Sequence, residues 1–76
     1  MTTAFVLLNA ELGSITDVLK DLKKIEGVDE VYSVYGVHDM IARVRAKSVD
    51  ELKEIITDRI RRIDEVRTTL TMLVSE

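Results

Sequence analysis

The feature that most constrains this chain is the period of its apolar residues, which switches between two and about 3.6 several times within 76 residues. Alternation every second residue is typical of a half-buried strand, and spacings of three and four residues are typical of an amphipathic helix. Four segments have the strand pattern and two have the helix pattern. The predicted order along the chain is β-α-β-β-α-β, with no linker, repeat or low-complexity segment between elements.

The predicted strands cover residues 3–10, 28–35, 40–46 and 66–74, and the predicted helices cover about residues 14–25 and 48–62. Ser14 and Ser48 are expected to cap the two helices, and Gly27 is expected to end the first one in a left-handed conformation. Two βαβ-type halves of this length predict one α+β domain over residues 1–76. Its fold is ferredoxin-like, a four-stranded antiparallel sheet with both helices on one face. A parallel sheet would need helices on both faces, and two helices are too few.

Alternation divides the strand residues between two faces of the sheet. The face predicted to lie under the helices contains Ala4, Val6, Leu8, Tyr32, Val34, Met40, Ala42, Val44, Leu70, Met72 and Val74. The face without a helix is predicted to contain the apolar residues Phe5, Leu7, Val31, Ile41 and Leu73. An apolar sheet face is typical of an association surface, and a second copy packed about a twofold axis would cover it. We therefore expect a barrel-like homodimer, with scattered surface apolar residues as the alternative.

Composition removes several function classes. The chain has no Cys, which excludes a disulfide scaffold, a thiolate metal site and a thiol nucleophile, and leaves oligomerisation as the expected source of extra stability. Eleven basic and fourteen acidic residues are interspersed, which argues against direct nucleic-acid binding. The third strand lacks the aromatic residues on which RNA-recognition domains stack bases. With neither a signal peptide nor a long apolar run, we expect a soluble cytoplasmic protein without a membrane partner.

The residues that could carry chemistry favour binding over catalysis. His38 is the only His, and a lone loop His is more often solvated than catalytic or metal-ligating, so we expect no active site, metal or cofactor. Around it, residues 35–39 place a flexible glycine backbone beside the Asp39 carboxylate, and Thr69 and Thr71 add two hydroxyls. A small zwitterion needs an anion for its ammonium group and donors for its carboxylate. The same residues are also ordinary turn and strand residues.

Three motifs resemble one family. The segments are Val34-Tyr-Gly-Val-His-Asp-Met-Ile41, the helix start Ser48-Val-Asp-Glu-Leu52, and the last strand Val66-Arg-Thr-Thr-Leu-Thr-Met-Leu-Val74. In order and spacing they are similar to the effector domain of Lrp/AsnC regulators, also called the RAM domain (regulation of amino-acid metabolism). The resemblance covers essentially all 76 residues and does not include the helix-turn-helix with which full-length regulators bind DNA. It implies a stand-alone effector domain.

The resemblance also implies a site and an assembly. Members of the family dimerise through their sheets, the dimers form rings of eight or ten chains, and amino-acid effectors bind between dimers. Carried over to this chain, the resemblance implies that Gly36 contacts the ligand through its backbone and that Asp39 either binds the ligand ammonium or shapes the loop. Thr69 and Thr71 would make polar contacts with the ligand. His38 would be a ligand-binding residue at a position that varies in the family. The implied function is a non-enzymatic amino-acid sensor that changes its own assembly or co-assembles with full-length Lrp/AsnC regulators.

Two alternatives stay open on the sequence. A small dimeric α/β-barrel enzyme would need a polar residue in an apolar pocket, and Asn9 and Tyr35 are the candidates. An ACT-type regulatory domain has the same topology and places a ligand-binding glycine after the first strand, near Gly13. The chain has no Gln, one Asn and one third charged residues, a composition that favours a thermophilic source.

Overall fold

A computed structural model describes residues 1–75 of the chain and has the predicted ferredoxin-like fold. The elements in chain order are β1 (Thr2–Ala10), α1 (Ile15–Lys23), β2 (Val28–Ser33), β3 (Met40–Ala46), α2 (Val49–Glu54) and β4 (Val66–Leu73). The last turns of the second helix, Ile55–Ile60, are π-helical. The sheet order is β2-β3-β1-β4 and every pair is antiparallel. β1 and β3 are therefore central, and β2 and β4 are the edge strands.

One continuous core lies between the sheet and the two helices. Its strand residues are Ala4, Val6, Leu8, Ala10, Met40, Ala42, Val44 and Ala46, and its helix residues are Val18, Leu22, Leu52, Ile55, Ile56 and Ile60. The alternation predicted for the two central strands is confirmed, because every second residue of β1 and β3 is buried. The helices bury the apolar stripes that their 3.6-residue period predicts.

The two helix starts differ from each other. The Ser48 side chain accepts a hydrogen bond from the Glu51 N–H at 3.2 Å, which confirms the predicted cap. Within residues 1–75 the Ser14 side chain makes no such bond, so the cap predicted there is wrong. Ser14 contributes its backbone carbonyl, which accepts from the Val18 N–H at 3.0 Å. Gly27 has the expected positive φ, +100°, but follows the end of α1 by four residues.

The prediction for β2 assigned its residues to the wrong faces. Val28 lies opposite Val44 and Glu30 lies opposite Arg43, so Asp29 is an extra, bulged residue on the edge strand. Downstream of this bulge the alternation is reversed. Val31 lies on the helix side and packs against the core, whereas Tyr32 lies on the open side and is 52% exposed. The placement of Val31 on the open face was therefore wrong.

The prediction for β4 failed for the same reason. Asn9 lies opposite Thr68 and Ala10 lies opposite Val66, so Arg67 is an extra residue in β4. Beyond it, the odd-numbered residues, including Leu73, share the side of Ala4, Val6 and Leu8, which is the helix side. Leu70 and Met72 share the open side with Leu7 and Phe5. Leu73 is thus not on the face that the sequence predicted, and Leu70, Met72 and Val74 are exposed, as is Val34.

No helix within residues 1–75 has the length and apolar character required to cross a membrane.

Candidate functional site

The β2–β3 hairpin projects from the sheet with an exposed tip. The Val34 N–H donates to the Asp39 carbonyl at 2.9 Å, which closes a loop over residues 35–38. Gly36, with φ +141°, has no atom near the position where its Cβ would lie. Its neighbours Tyr35 and Val37 are almost fully exposed. The loop thus offers both an accessible glycine backbone and apolar side chains that this chain leaves uncovered.

Asp39 is fixed at the base of this hairpin by the end of β1. The Ala10 N–H donates to Asp39 Oδ2 at 3.1 Å, and the Asp39 N–H donates to Asn9 Oδ1 at 3.1 Å. The Asp39 N–H also lies 2.9 Å from the Leu8 carbonyl oxygen. Among the described residues, Asp39 Oδ1 has no hydrogen-bond partner. One carboxylate oxygen therefore serves the loop, and the other is free to bind a cation such as an ammonium group.

His38 is half-buried beside Asp39. Its Nδ1 atom is out of contact with solvent and has no hydrogen-bond partner within residues 1–75. A buried imidazole nitrogen without a partner is uncommon in folded chains, because leaving it unpaired costs free energy. The sequence predicted a solvated His38 side chain, whereas the imidazole ring is half-buried.

The structure does not bring the two threonines and the hairpin together in one pocket. Thr69 lies opposite Leu8, and Thr71 lies opposite Val6, both on the helix side of β4. Asp39 directly precedes β3, which pairs with β1 on the side opposite β4. Two strand spacings, about 9–10 Å, therefore separate Asp39 from β4. Thr71 is exposed and Thr69 is half-buried. The residues predicted to bind a ligand thus flank one end of β1 from both sides.

Two clefts lie at the other end of the sheet. The larger one, of about 500 Å³, lies between the turn after α1, the end of β3 and the second helix, and Gly27, Arg45 and Ile55 line it. The smaller one, of about 300 Å³, lies between the two chain ends, at Thr2, Thr3 and Val74. None of the predicted ligand-binding residues lines either cleft.

The open face of the sheet carries an apolar row that crosses all four strands. Tyr32 lies opposite Ile41, Ile41 opposite Leu7, and Leu7 opposite Leu70. In the next row Glu30, Arg43, Phe5 and Met72 follow one another in the same way. We call the six apolar members of these rows the open-face patch: Phe5, Leu7, Tyr32, Ile41, Leu70 and Met72. The sequence predicted Phe5, Leu7 and Ile41 for this face and missed the other three.

One corner of the open face is charged. Arg43 contacts Glu30 with its guanidinium nitrogen 2.6 Å from Glu30 Oε1, and its Nε lies 3.5 Å from Asp29 Oδ2. Arg45 Nε lies 3.0 Å from the same Asp29 oxygen. These side chains are about one third to one half exposed, so the pairs add little stability. These charged residues lie at the β2–β3 side of the face, next to the uncharged open-face patch.

Comparison with known proteins defines the class of this chain as a ligand-binding domain. A family model described as the Lrp/AsnC ligand binding domain matches residues 3–76. The chain belongs to the Lrp/AsnC family. This result confirms the resemblance carried by the hairpin, the capped helix and the last strand.

Relatives agree with this assignment. The HTH-type transcriptional regulator PF0250 of Pyrococcus furiosus is 39% identical over 75 residues, which are 95% of this chain and 50% of the relative. The crystal structure of TTHA0845 from Thermus thermophilus superimposes with a TM-score of 0.95 at 36% identity, covering 100% of this chain and 95% of that one. Both relatives come from thermophiles, in keeping with the composition. The chain spans about half the length of the curated relatives it matches.

A further solved structure contains a ligand. The feast or famine regulatory protein from M. tuberculosis, complexed with L-methionine, has a TM-score of 0.80 and 30% identity to this chain. The match covers 100% of this chain and 51% of that protein.

Proposed function

We propose that this chain is a non-catalytic amino-acid-sensing and assembly module. The observation that carries the proposal is the exposed hairpin at Gly36 and Asp39, in which one carboxylate oxygen is held by Ala10 and the other is free. An α-amino acid presents an ammonium group that such an oxygen can bind. The L-methionine complex of the M. tuberculosis relative supports an amino acid as the class of effector.

The proposed site needs residues from a second chain. Within one chain the half-buried Asp39 lies on one side of β1, and Thr69 and Thr71 lie on the other side. A ligand-binding site normally buries most of its ligand, and the two clefts described above lie away from these residues. We infer that the hairpin and the threonines of adjoining chains form the cleft, with Gly36 contributing its backbone and His38 lining the pocket.

The proposed assembly begins with a dimer through the open-face patch. Six apolar side chains lie on one uncovered sheet face, and a twofold axis would place the same six opposite them. Burying this face would stabilise a domain that is too small to bury a large core of its own. Dimers would then associate into rings of eight or ten chains at the exposed hairpin tips.

Co-assembly with full-length regulators is the second part of the proposal. The similarity to PF0250 extends over nearly the whole chain, so regulators of this kind carry an equivalent sheet face. A mixed assembly would contain fewer DNA-binding arms than a pure one. The proposal places the protein in the cytoplasm, in the same compartment as such regulators.

The direct test is isothermal titration calorimetry of the chain against each of the twenty amino acids. We expect saturable binding of at least one of them, with L-methionine as the first to try, and a change in mass by light scattering when it binds. If none of the twenty amino acids gives a heat of binding and none changes the mass, the proposal of an amino-acid sensor is refuted. A mass equal to one chain at every concentration would refute the assembly.

A further inference from the structure

Asn9 occupies the place in the fold where the two halves of the proposed site meet. It lies near the end of β1, the strand that separates the hairpin from β4. Its side chain accepts the hydrogen bond from the Asp39 N–H, and on the other side of β1 it lies opposite Thr68, the neighbour of Thr69. Asn9 therefore contacts the base of the hairpin directly and is the ladder partner of a neighbour of Thr69.

Two neighbouring residues of β1 hold Asp39 at two points. Asn9 Oδ1 accepts from its backbone N–H, and the Ala10 N–H donates to its carboxylate, both at 3.1 Å. We call this pair of hydrogen bonds the Asn9–Asp39 clasp. A single bond would fix the position of Asp39 and leave its side chain free to rotate. Two bonds, one to the backbone and one to the carboxylate, also fix the direction in which the free oxygen points.

The clasp exceeds what the fold needs. The Asp39 N–H shares its proton between Asn9 Oδ1 and the Leu8 carbonyl oxygen, so removing the Asn9 side chain does not leave a buried donor unpaired. The β1–β3 pairing over seven residue pairs is independent of it. A side chain that the ladder does not require, aimed at the one acidic residue of the proposed site, indicates a role in that site.

We propose that Asn9 is a positioning residue for the effector site, which holds the Asp39 backbone in place so that the Ala10 N–H can fix the direction of the carboxylate and of its free oxygen. This inference rests on the proposed function and extends it to a residue outside the family motifs. Asn9 itself touches no ligand in this mechanism. It acts through Asp39, because a carboxylate that is already oriented loses less conformational entropy when it binds the ligand ammonium.

The test compares the wild-type chain with two variants. Asn9→Leu has a similar shape and cannot accept a hydrogen bond, and Asn9→Asp keeps the accepting oxygen. Amide hydrogen exchange measured by NMR reports the clasp directly, and calorimetry against each of the twenty amino acids reports the site. Thr68→Val, on the facing strand, is the matched control for a polar side chain removed from the same face.

In Asn9→Leu we expect the Ala10 amide to exchange at least about tenfold faster, because its acceptor, the Asp39 carboxylate, is no longer held in place. The Asp39 amide keeps its bond to the Leu8 carbonyl and should change less. The affinity for the amino acid that binds the wild-type chain should fall about tenfold, which corresponds to about 1.4 kcal/mol. Asn9→Asp should keep the slow exchange and an affinity within about threefold of wild type. Thr68→Val should change neither, and the melting temperature of each variant should stay within about 5 °C of wild type.

The outcomes separate the two proposals. If the wild-type chain binds an amino acid and Asn9→Leu binds it equally well, Asn9 has no positioning role and the sensor proposal stands. Unchanged amide exchange in Asn9→Leu would overturn the clasp itself. If the wild-type chain binds none of the twenty amino acids, the sensor proposal fails, and the role of Asn9 in an effector site fails with it.

Discussion

Gly27 and Ile55 approach each other so closely that a side chain at position 27 would displace the terminal methyl group of Ile55. A Cβ atom on Gly27 would lie 2.7 Å from Ile55 Cδ1 and 3.1 Å from the Arg45 carbonyl oxygen. The Gly27 carbonyl accepts from the Arg45 N–H at 2.8 Å, so the turn is fixed to β3. The first π-helical turn of the second helix packs directly onto it. Gly27 thus joins the two halves of the fold at the end opposite the hairpin.

Replacing Gly27 with Ala should destabilise the domain by about 2–4 kcal/mol. One part of this cost is the left-handed φ of +100°, which an L-residue adopts only with strain, and the other is the overlap with Ile55. Urea unfolding followed by circular dichroism measures the difference in the free energy of unfolding. An effect below about 1 kcal/mol would contradict the close packing described for this turn.

Two variants separate the parts of that cost. Gly13→Ala places a side chain at a similar φ, +84°, with no atom within 4 Å, so it should cost only the backbone strain, about 1–2 kcal/mol. Ile55→Val removes the clashing methyl group and costs about 0.5–1.5 kcal/mol in the wild-type chain. In the Gly27→Ala background it should cost less or even stabilise. If the effects of Gly27→Ala and Ile55→Val on the free energy of unfolding are additive, the overlap with Ile55 is relieved by a movement other than loss of its methyl group.

The two helix starts predict different responses to loss of a hydroxyl group. Ser48→Ala should lower the free energy of unfolding by about 1 kcal/mol, because the Glu51 N–H loses its acceptor. Ser14→Ala should cost less than about 0.5 kcal/mol, since no side-chain cap exists there within the described residues. Both variants are measured by urea unfolding under one set of conditions. Equal losses would mean that Ser14 caps α1 in solution.

The open-face patch predicts which leucine controls dimerisation. Leu7 is in the middle of the apolar row, whereas Leu73 lies on the helix side of β4 and is 52% exposed. Leu7→Lys should weaken dimerisation at least about a hundredfold, because a charge would be buried in the interface, and Leu73→Lys should leave the dimer intact. Sedimentation velocity gives the masses, and circular dichroism confirms that each variant is folded. Loss of the dimer in Leu73→Lys alone would restore the face assignment made from the sequence.

The topology could be predicted from the sequence because it depends on period alone. Each helix buries its own stripe, and the central strands β1 and β3 keep a strict alternation that buries Ala4, Val6, Met40 and Ala42. A period of two shows which residues of a strand share a face. In the central strands the buried face is the apolar one, because the helices cover that side of the sheet. The central strands therefore left no ambiguity.

The faces of the two edge strands could not be predicted because each strand has one extra residue. A bulge at Asp29 and another at Arg67 reverse the alternation downstream, since a shift of one residue moves every later side chain to the other face. Val28 and Val31, three residues apart, share the helix side, and this spacing is the one trace that the first bulge leaves in the sequence. In β4 the residues Leu70 and Met72 looked like core because they are apolar, although the apolar side of this edge strand is the open one.

The candidate site was predictable as a set of residues and not as an arrangement. The motifs point to Gly36, Asp39, Thr69 and Thr71, but their spacing along the chain cannot show that β1 lies between them. Nor can it show that Asn9 holds Asp39, because the two residues are thirty positions apart and are brought together by the β1–β3 pairing.

Asp39→Asn should separate the charge of Asp39 from its role in the loop. The amide oxygen of Asn can still accept the hydrogen bond from the Ala10 N–H, so the hairpin and the melting temperature should be nearly unchanged. The ligand ammonium, however, would lose its charged partner, and a hydrogen bond to a charged group contributes about 1.5–3 kcal/mol. We expect amino-acid affinity to fall about 10- to 150-fold by calorimetry. Asp21→Asn, on the exposed side of α1, makes the same change in net charge and should bind as the wild-type chain does; equal affinities in the two variants would contradict this role of Asp39.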